Sequence, residues 1–193
     1  MNKNRMEAFS DGVLAIIITI MVLEFKTPES SDIEAFQPLI PTFLSYILSF
    51  IYLGIYWNNH HHLLHTVNQI NGKILWANLH LLFWLSLIPF VTAANGENNF
   101  APFTMMLYGA VLLCCAMSYF ILQGQIIKLQ GENSILAKAI GKDYKGKTSL
   151  SLYIIAVIFS NFLPIISGAI YILVALMWLV PDKRIERIFK NNK

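Results

Sequence analysis

Residues 148–180 read TSLSLYIIAVIFSNFLPIISGAIYILVALMWLV, and the number of times this block crosses a bilayer decides the fold. At about 1.5 Å per residue, one continuous helix over it would be about 50 Å long, against a hydrocarbon core of about 30 Å. Ser160-Asn161 and Pro164 break it near the middle. Two readings follow: two short helices joined by a tight turn, or one strongly tilted span. The flanks separate them. Lys138, Lys142, Lys145 and Lys147 precede the block, and Lys183, Arg184, Arg187 and Lys190 follow it. Basic segments stay on the cytoplasmic side, so both flanks are cytoplasmic only if the block crosses twice. Two short helices are therefore expected.

Working outward, four more apolar runs stand apart. Span one is expected over about Met6 to Phe25, span two from about Pro41 to His62, and span three from about Ile74 to Ala94. Span four starts near Pro102, a favoured first-turn position for proline, and ends near Lys128. The composition agrees: of 193 residues, 56% are hydrophobic and 13% charged, whereas soluble domains average about a quarter charged. A soluble enzyme, a disordered chain and a disulfide scaffold are disfavoured. Length allows about six spans with short loops, too few for a transporter of eight or more. The expectation is an all-α integral membrane protein, one six-helix domain over residues 1–193.

With six spans and a cytoplasmic N-terminus, the basic residues sort by side. Lys3, Arg5, Lys73, Lys128, the four loop lysines, and the tail basics with Lys193 all fall inside, and of the 14 Lys and Arg only Lys26 falls outside. Both termini are thus expected in the cytoplasm. Lys3 and Arg5 precede an apolar stretch as in a signal peptide, but that stretch holds Glu7, Ser10 and Asp11 and lacks a small-residue cleavage site. It reads as a retained span. The outer side carries Glu24, Glu29, Asp32, Glu34 and Glu97 against Lys26, either as a solvated loop or as a vestibule that concentrates cations. Cys114 and Cys115 are adjacent in span four and cannot comfortably pair on a helix; they read as small buried hydrophobes.

Span one has polar groups that spanning does not require: Arg5, Glu7, Ser10 and Asp11 lie in its cytoplasmic third. Ionisable groups in a membrane are costly and point to function or to specific partners. The topology brings Trp57, His60 and His61 of span two and Asn78 of span three to the same depth. Indole, imidazole and amide donors there can satisfy the carboxylate and hydroxyl, pinning span one against spans two and three. At about 100° per residue, Ile16, Thr19, Ile20 and Leu23 share another face, with Gly12 on the same side, while Ser10 and Asp11 point elsewhere. This apolar stripe with one hydroxyl fits lipid contact or helix packing. It also fits a pore built between subunits, because six spans leave little room for an aqueous path within one, and an apolar constriction can gate by dewetting.

Arg5-x-x-x-Phe9-Ser10-Asp11 resembles the R-x-x-x-F-S-D signature of the transmembrane protein 175 family of lysosomal and prokaryotic potassium channels. Trp57-x-x-His60-His61, Asn78, Pro89-Phe90-x-Thr92 and Pro181-Asp182-x-Arg184-x-Glu186 resemble further motifs of that family, in order. His62 stands where many members have a basic residue and Leu64 where many have phenylalanine. The resemblance implies a homotetramer in a prokaryotic plasma membrane, its central pore lined by the first helix of each six-span subunit, with K+ as permeant ion and no cofactor. It places an apolar constriction on Ile16, Ile20 and Leu23 and a hydroxyl layer on Thr19. The chain holds one repeat, unlike the two-repeat animal proteins, which also implies a tetramer, and it has no T-V-G-Y-G filter.

Two other readings compete. His60, His61, His62 and His65 give ligand spacings on one helix, but membrane metalloenzymes built on such runs need about eight histidines in several clusters, and this chain has 5. A proton-coupled transporter could use Asp11 and the histidines as a relay, yet no internal repeat supports it. No periodic arginine row marks a voltage sensor, and the basic residues are explained by topology without a nucleic-acid partner.

Overall fold

The computed structural model describes residues 3–67 and 69–179. The motif over 181–186 and the tail residues Lys183, Arg184, Arg187, Lys190 and Lys193 lie outside the described residues. Those described are helical: α1 (Lys3–Leu23), α2 (Ile33–Phe36), a 3-10 turn (Gln37–Leu39), α3 (Ile40–His65), α4 (Gly72–Leu85), α5 (Ile88–Glu97), α6 (Pro102–Gln130), α7 (Ile135–Ile140), α8 (Tyr144–Phe159) and α9 (Pro164–Leu179). Four stretches are long and apolar enough to cross a membrane: 3–23, 33–65, 72–97 and 102–130. This is the build of a membrane protein.

Residues 148–179 form a helical hairpin. Its chain breaks at 160–163, and Pro164 opens α9. Ser167 Oγ donates to Ala156 O at 2.7 Å, and Trp178 Nε1 donates to Ser149 Oγ at 2.7 Å. Residues early in α8 thus meet residues late in α9, which fixes an antiparallel pair and not one long tilted helix. Each arm has 16 residues, about 24 Å of helix.

Span three departs from the sequence expectation of one continuous run. It is two helices, α4 and α5, with Ser86 and Leu87 between them. Pro89 has no amide proton to continue the ladder, so the turn tightens there: Leu87 N–H reaches back three residues to Trp84 O at 3.2 Å. Asn71 caps the start of α4, its side chain accepting from Ile74 N–H at 3.0 Å. Span one is also shorter than expected at its outer end, stopping at Leu23. Unexpected altogether is α7, a one-turn amphipathic helix capped by Ser134 that buries Leu136, Ala139 and Ile140.

The core centres on α6, which packs against α4, α5, α8 and α9, while α3 packs against α1, α5 and α9. Helices in a bilayer gain little from hydrophobic burial against each other, so close packing and interhelical hydrogen bonds carry the assembly. Both are present. Ser49 Oγ lies 3.0 Å from Tyr108 Oη and 2.6 Å from Thr92 Oγ1, linking α3, α6 and α5. Tyr171 Oη donates to Met105 O at 3.1 Å, tying α9 to α6. At the other end of α5, a Cβ added at Gly96 would collide with the Thr42 backbone of α3. Gly96→Ala must therefore push α3 and α5 apart. It is expected to cost about 1–3 kcal/mol, the usual range for overpacking, seen as a lower melting temperature of the solubilised protein. Gly12→Ala, where a Cβ meets nothing within 4 Å, should melt no lower than the parent, since alanine favours the helix over glycine.

Candidate functional site

The first helix has two faces. Met6, Ser10, Leu14, Ile17 and Met21 are buried against the rest of the chain. On the opposite side Gly12, Ile16, Thr19, Ile20 and Leu23 are uncovered, with Ile16 59% and Leu23 78% exposed. Their spacing is that of one helical face. Thr19 directs its hydroxyl to Ile16 O at 2.9 Å; it is the one side-chain polar group among those residues. A groove of about 450 Å³ runs beside this face, between α1 and α5, bordered by Val13, Ile16, Ile20, Ser86, Pro89 and Phe90.

The N-terminal third of α1 is held by two distinct sets of hydrogen bonds. One is buried. Asn78 Nδ2 donates to Ser10 Oγ at 2.9 Å, Ser10 donates to Met6 O at 2.8 Å, and His60 Nε2 lies 2.7 Å from Asn78 Oδ1. Ser10 has a single proton, already given to Met6 O, so it accepts from the Asn78 amide. The Asn78 carbonyl then faces His60, which must carry its proton on Nε2. His60 Nδ1 is left buried without a partner among the described residues. The other set is at the surface: Trp57 Nε1 donates to Asp11 Oδ1 at 3.1 Å, and His61 Nδ1 lies 3.0 Å from Glu7 Oε1. The two sets clamp α1 to α3 and α4. An exposed pair of this kind adds only about 0–1 kcal/mol, so the buried set is the stronger tie.

The sequence-chosen residues thus divide. Ser10, Asn78 and His60 meet directly. Among the described residues Asp11 meets Trp57, and His61 meets Glu7, a partner that periodicity alone did not single out although its (i, i+4) step from Asp11 placed it on the same flank. Arg5 is exposed and makes no hydrogen bond or ion pair among the described residues. His80 lies apart, accepting from Trp84 Nε1 at 3.0 Å. Among the described residues no group of three or more His, Cys, Asp or Glu could hold a metal ion; the His61, His62 and His65 rings pack edge to face instead.

Beyond the other end of α1, Lys26 Nζ and Glu97 Oε1 are 2.7 Å apart, joining the loop after α1 to the end of α5. The Glu97 carboxylate, by hydrogen bond and charge, lifts Lys26 above the usual lysine range, with Glu24 adding to it. The folded state therefore holds this proton more tightly than the unfolded chain, and the tie is lost only as pH rises past that raised value. It is neutral in net charge, leaving Glu24, Glu29, Asp32 and Glu34 as unbalanced carboxylates on this side.

Several known proteins are similar to this chain. The family model described as the endosomal/lysosomal potassium channel TMEM175 matches residues 5–89, the stretch that holds α1, the histidine run and Asn78. A protein from Chryseobacterium sp. (strain P1-3), named as a potassium channel, is 56% identical over 100% of both chains. One from Streptomyces collinus, also named as a potassium channel, is 30% identical over 62% of each. The fold resembles the crystal structure of a homolog of the lysosomal potassium-selective channel TMEM175 from Chamaesiphon minutus, with a TM-score of 0.82, 27% identity, and coverage of 93% of this chain and 97% of that one.

Proposed function

The chain belongs to the TMEM175 channel family, and from that premise we propose that it is a potassium-selective channel rather than an enzyme, built as a homotetramer around a pore lined by α1. The observation that carries the reading is the two-faced first helix. A helix needs only one anchored face to be placed rigidly, and α1 is anchored by Ser10, Asp11 and Glu7 while its Ile16, Ile20 and Leu23 face is left uncovered. Four copies would present three apolar rings and a Thr19 hydroxyl layer to a central axis. An apolar ring strips water from a passing ion and closes by dewetting when it narrows, so one element serves as filter and gate. The groove between α1 and α5 is where the neighbouring subunit's first helix would seat.

The α8–α9 hairpin supports a six-span subunit with both termini in the cytoplasm, because it returns the chain to the side from which it left. The whole of residues 1–193 then forms one channel domain, placed in the plasma membrane of a prokaryotic cell. The carboxylates at the outer end would raise the local concentration of cations at the mouth. K+ is the permeant ion and no cofactor takes part.

Ion-specific flux from liposomes tests this. Reconstituted protein is expected to release K+ faster than Na+. Vesicles that hold both ions, while the inserted protein retains its helical circular dichroism, would reject the channel reading.

A further inference from the structure

A second site lies away from the α1 face. Between α3, α6, α8 and α9, at the lysine-rich end of the bundle, is a cavity of about 50 Å³. That is room for roughly three to five water-sized groups. Its wall is aromatic: Tyr56, Tyr119, Phe120, Tyr153 and Trp178 all border it. Nothing in the permeation reading uses it.

Three polar groups on the wall point to what it would hold. Gln123 is only 8% exposed, yet its carboxamide makes no hydrogen bond among the described residues. Neither Gln123 amide atom is sealed from the cavity, since the fully enclosed unpartnered side-chain atoms are those of His60 and Asn95. The Tyr56 hydroxyl likewise has no hydrogen-bond partner among the described residues and lines the same space. Among the described residues that line the cavity Asp143 is the one carboxylate, and the Lys145 ammonium lies against its Trp178 edge. A buried carboxamide without a partner costs about 1–3 kcal/mol, which a bound polar group would relieve.

Electrostatics give the sign. The wall offers a carboxylate, an amide oxygen, a phenol oxygen and the negative faces of aromatic rings. A cation with several N–H donors satisfies all of these together. The fold contains its own precedent: Lys145 Nζ sits 4.4 Å from the centre of the Trp178 ring, so an ammonium already rests on this aromatic wall. The volume suits a primary ammonium on a short apolar stem and is too small for a bulky quaternary one.

We propose that this cavity binds a primary alkylammonium group, with Asp143 supplying the charge and Gln123 and Tyr56 accepting its N–H bonds. The group could belong to a free amine or to the headgroup of an aminophospholipid. The proposal does not depend on the channel reading, because it is a binding site in the folded subunit.

Asp143 allows a clean test. It stands at φ 44°, a left-handed conformation, and its side chain caps α8 by accepting from Gly146 N–H at 3.2 Å. Asparagine tolerates that conformation and caps equally well, so Asp143→Asn removes the charge and keeps the turn. Isothermal titration of the solubilised full chain with n-butylammonium is expected to show saturable binding, with 1-butanol at least tenfold weaker. Asp143→Asn and Gln123→Leu should each weaken butylammonium by about tenfold or more while melting like the parent. Vesicles of phosphatidylethanolamine that abolish butylammonium binding, where phosphatidylglycerol vesicles do not, would assign the site to the lipid; persistence of binding in both would assign it to free amines. Equal affinity for butylammonium and butanol, unchanged binding in Asp143→Asn, or no binding to the folded parent would each overturn the proposal.

Discussion

Ile16→Ala is expected to raise Na+ flux through reconstituted protein by about tenfold relative to K+. Ile16 is the first in chain order of the three apolar residues on the uncovered face of α1, and truncation to Ala removes three carbons from each copy. If four copies form a ring, the opening widens at every position at once, and an ion that had to shed water can pass with more of it retained. A tenfold change corresponds to about 1.4 kcal/mol in barrier height, modest for the loss of a complete ring. The control is Asp11→Ala. Asp11 points to Trp57 on α3 and away from the face of Ile16, so its loss should reduce the yield of assembled protein and leave the K+ to Na+ ratio unchanged. Liposome flux with each cation, beside size-exclusion chromatography of the same preparations, separates the two effects. An unchanged ratio in Ile16→Ala would remove Ile16 from the constriction. A stable assembly of Asp11→Ala with altered ion preference would move Asp11 into it.

Asn78→Leu should be the most disruptive single change in the anchor. Asn78 is buried and uses both ends of its amide, one toward Ser10 and the other toward His60. Leucine fills nearly the same volume but pairs with neither. Ser10 keeps its bond to Met6 O, whereas the His60 ring, whose Nδ1 already lacks a partner, would have both nitrogens unsatisfied. Orphaning a buried polar group costs about 1–3 kcal/mol, with bilayer measurements nearer the lower end. The expected result is a lower melting temperature, together with faster hydrogen exchange in the first half of α1, which loses its tie to α4. Adding His60→Leu should recover part of the loss, since replacing both partners by apolar groups is far milder than removing one. A single variant that melts with the parent would mean that the surface pairs, Trp57 with Asp11 and His61 with Glu7, hold α1 unaided.

The depth at which these groups meet was legible in the sequence. Counting residues from each apolar boundary places Ser10, His60 and Asn78 in one layer, because helix rise is constant. The pairing within the layer was not. Which donor reaches which acceptor depends on the rotation of α3 and α4 about their axes, set by packing with α6 and α5. The same reason hid the role of Glu7. Both it and Asp11 are acidic and near the membrane edge, and only the placement of α3 shows that His61 faces one and Trp57 the other. The kink at Ser86 and Leu87 was in principle readable from Pro89, yet the run of apolar residues through it gave no cue that the helix stops.

The sequence by itself determined where the apolar runs lie and which connecting segments gather Lys and Arg. Hydrophobic length and the distribution of Lys and Arg are one-dimensional quantities, and the energy of placing them in a bilayer depends on depth alone. It also determined that Ile16, Thr19, Ile20 and Leu23 share a face, because helical periodicity is fixed. Only the tertiary structure decided that this face is the uncovered one. Burial is a property of neighbours: α3, α4 and α5 press on Ser10, Leu14, Ile17 and Met21, and what they do not reach is left for ions, lipid or another subunit. The same holds for the aromatic cavity, whose wall gathers Tyr56, Gln123 and Trp178 from three helices and Asp143 from the cap of a fourth, which no spacing in the chain relates.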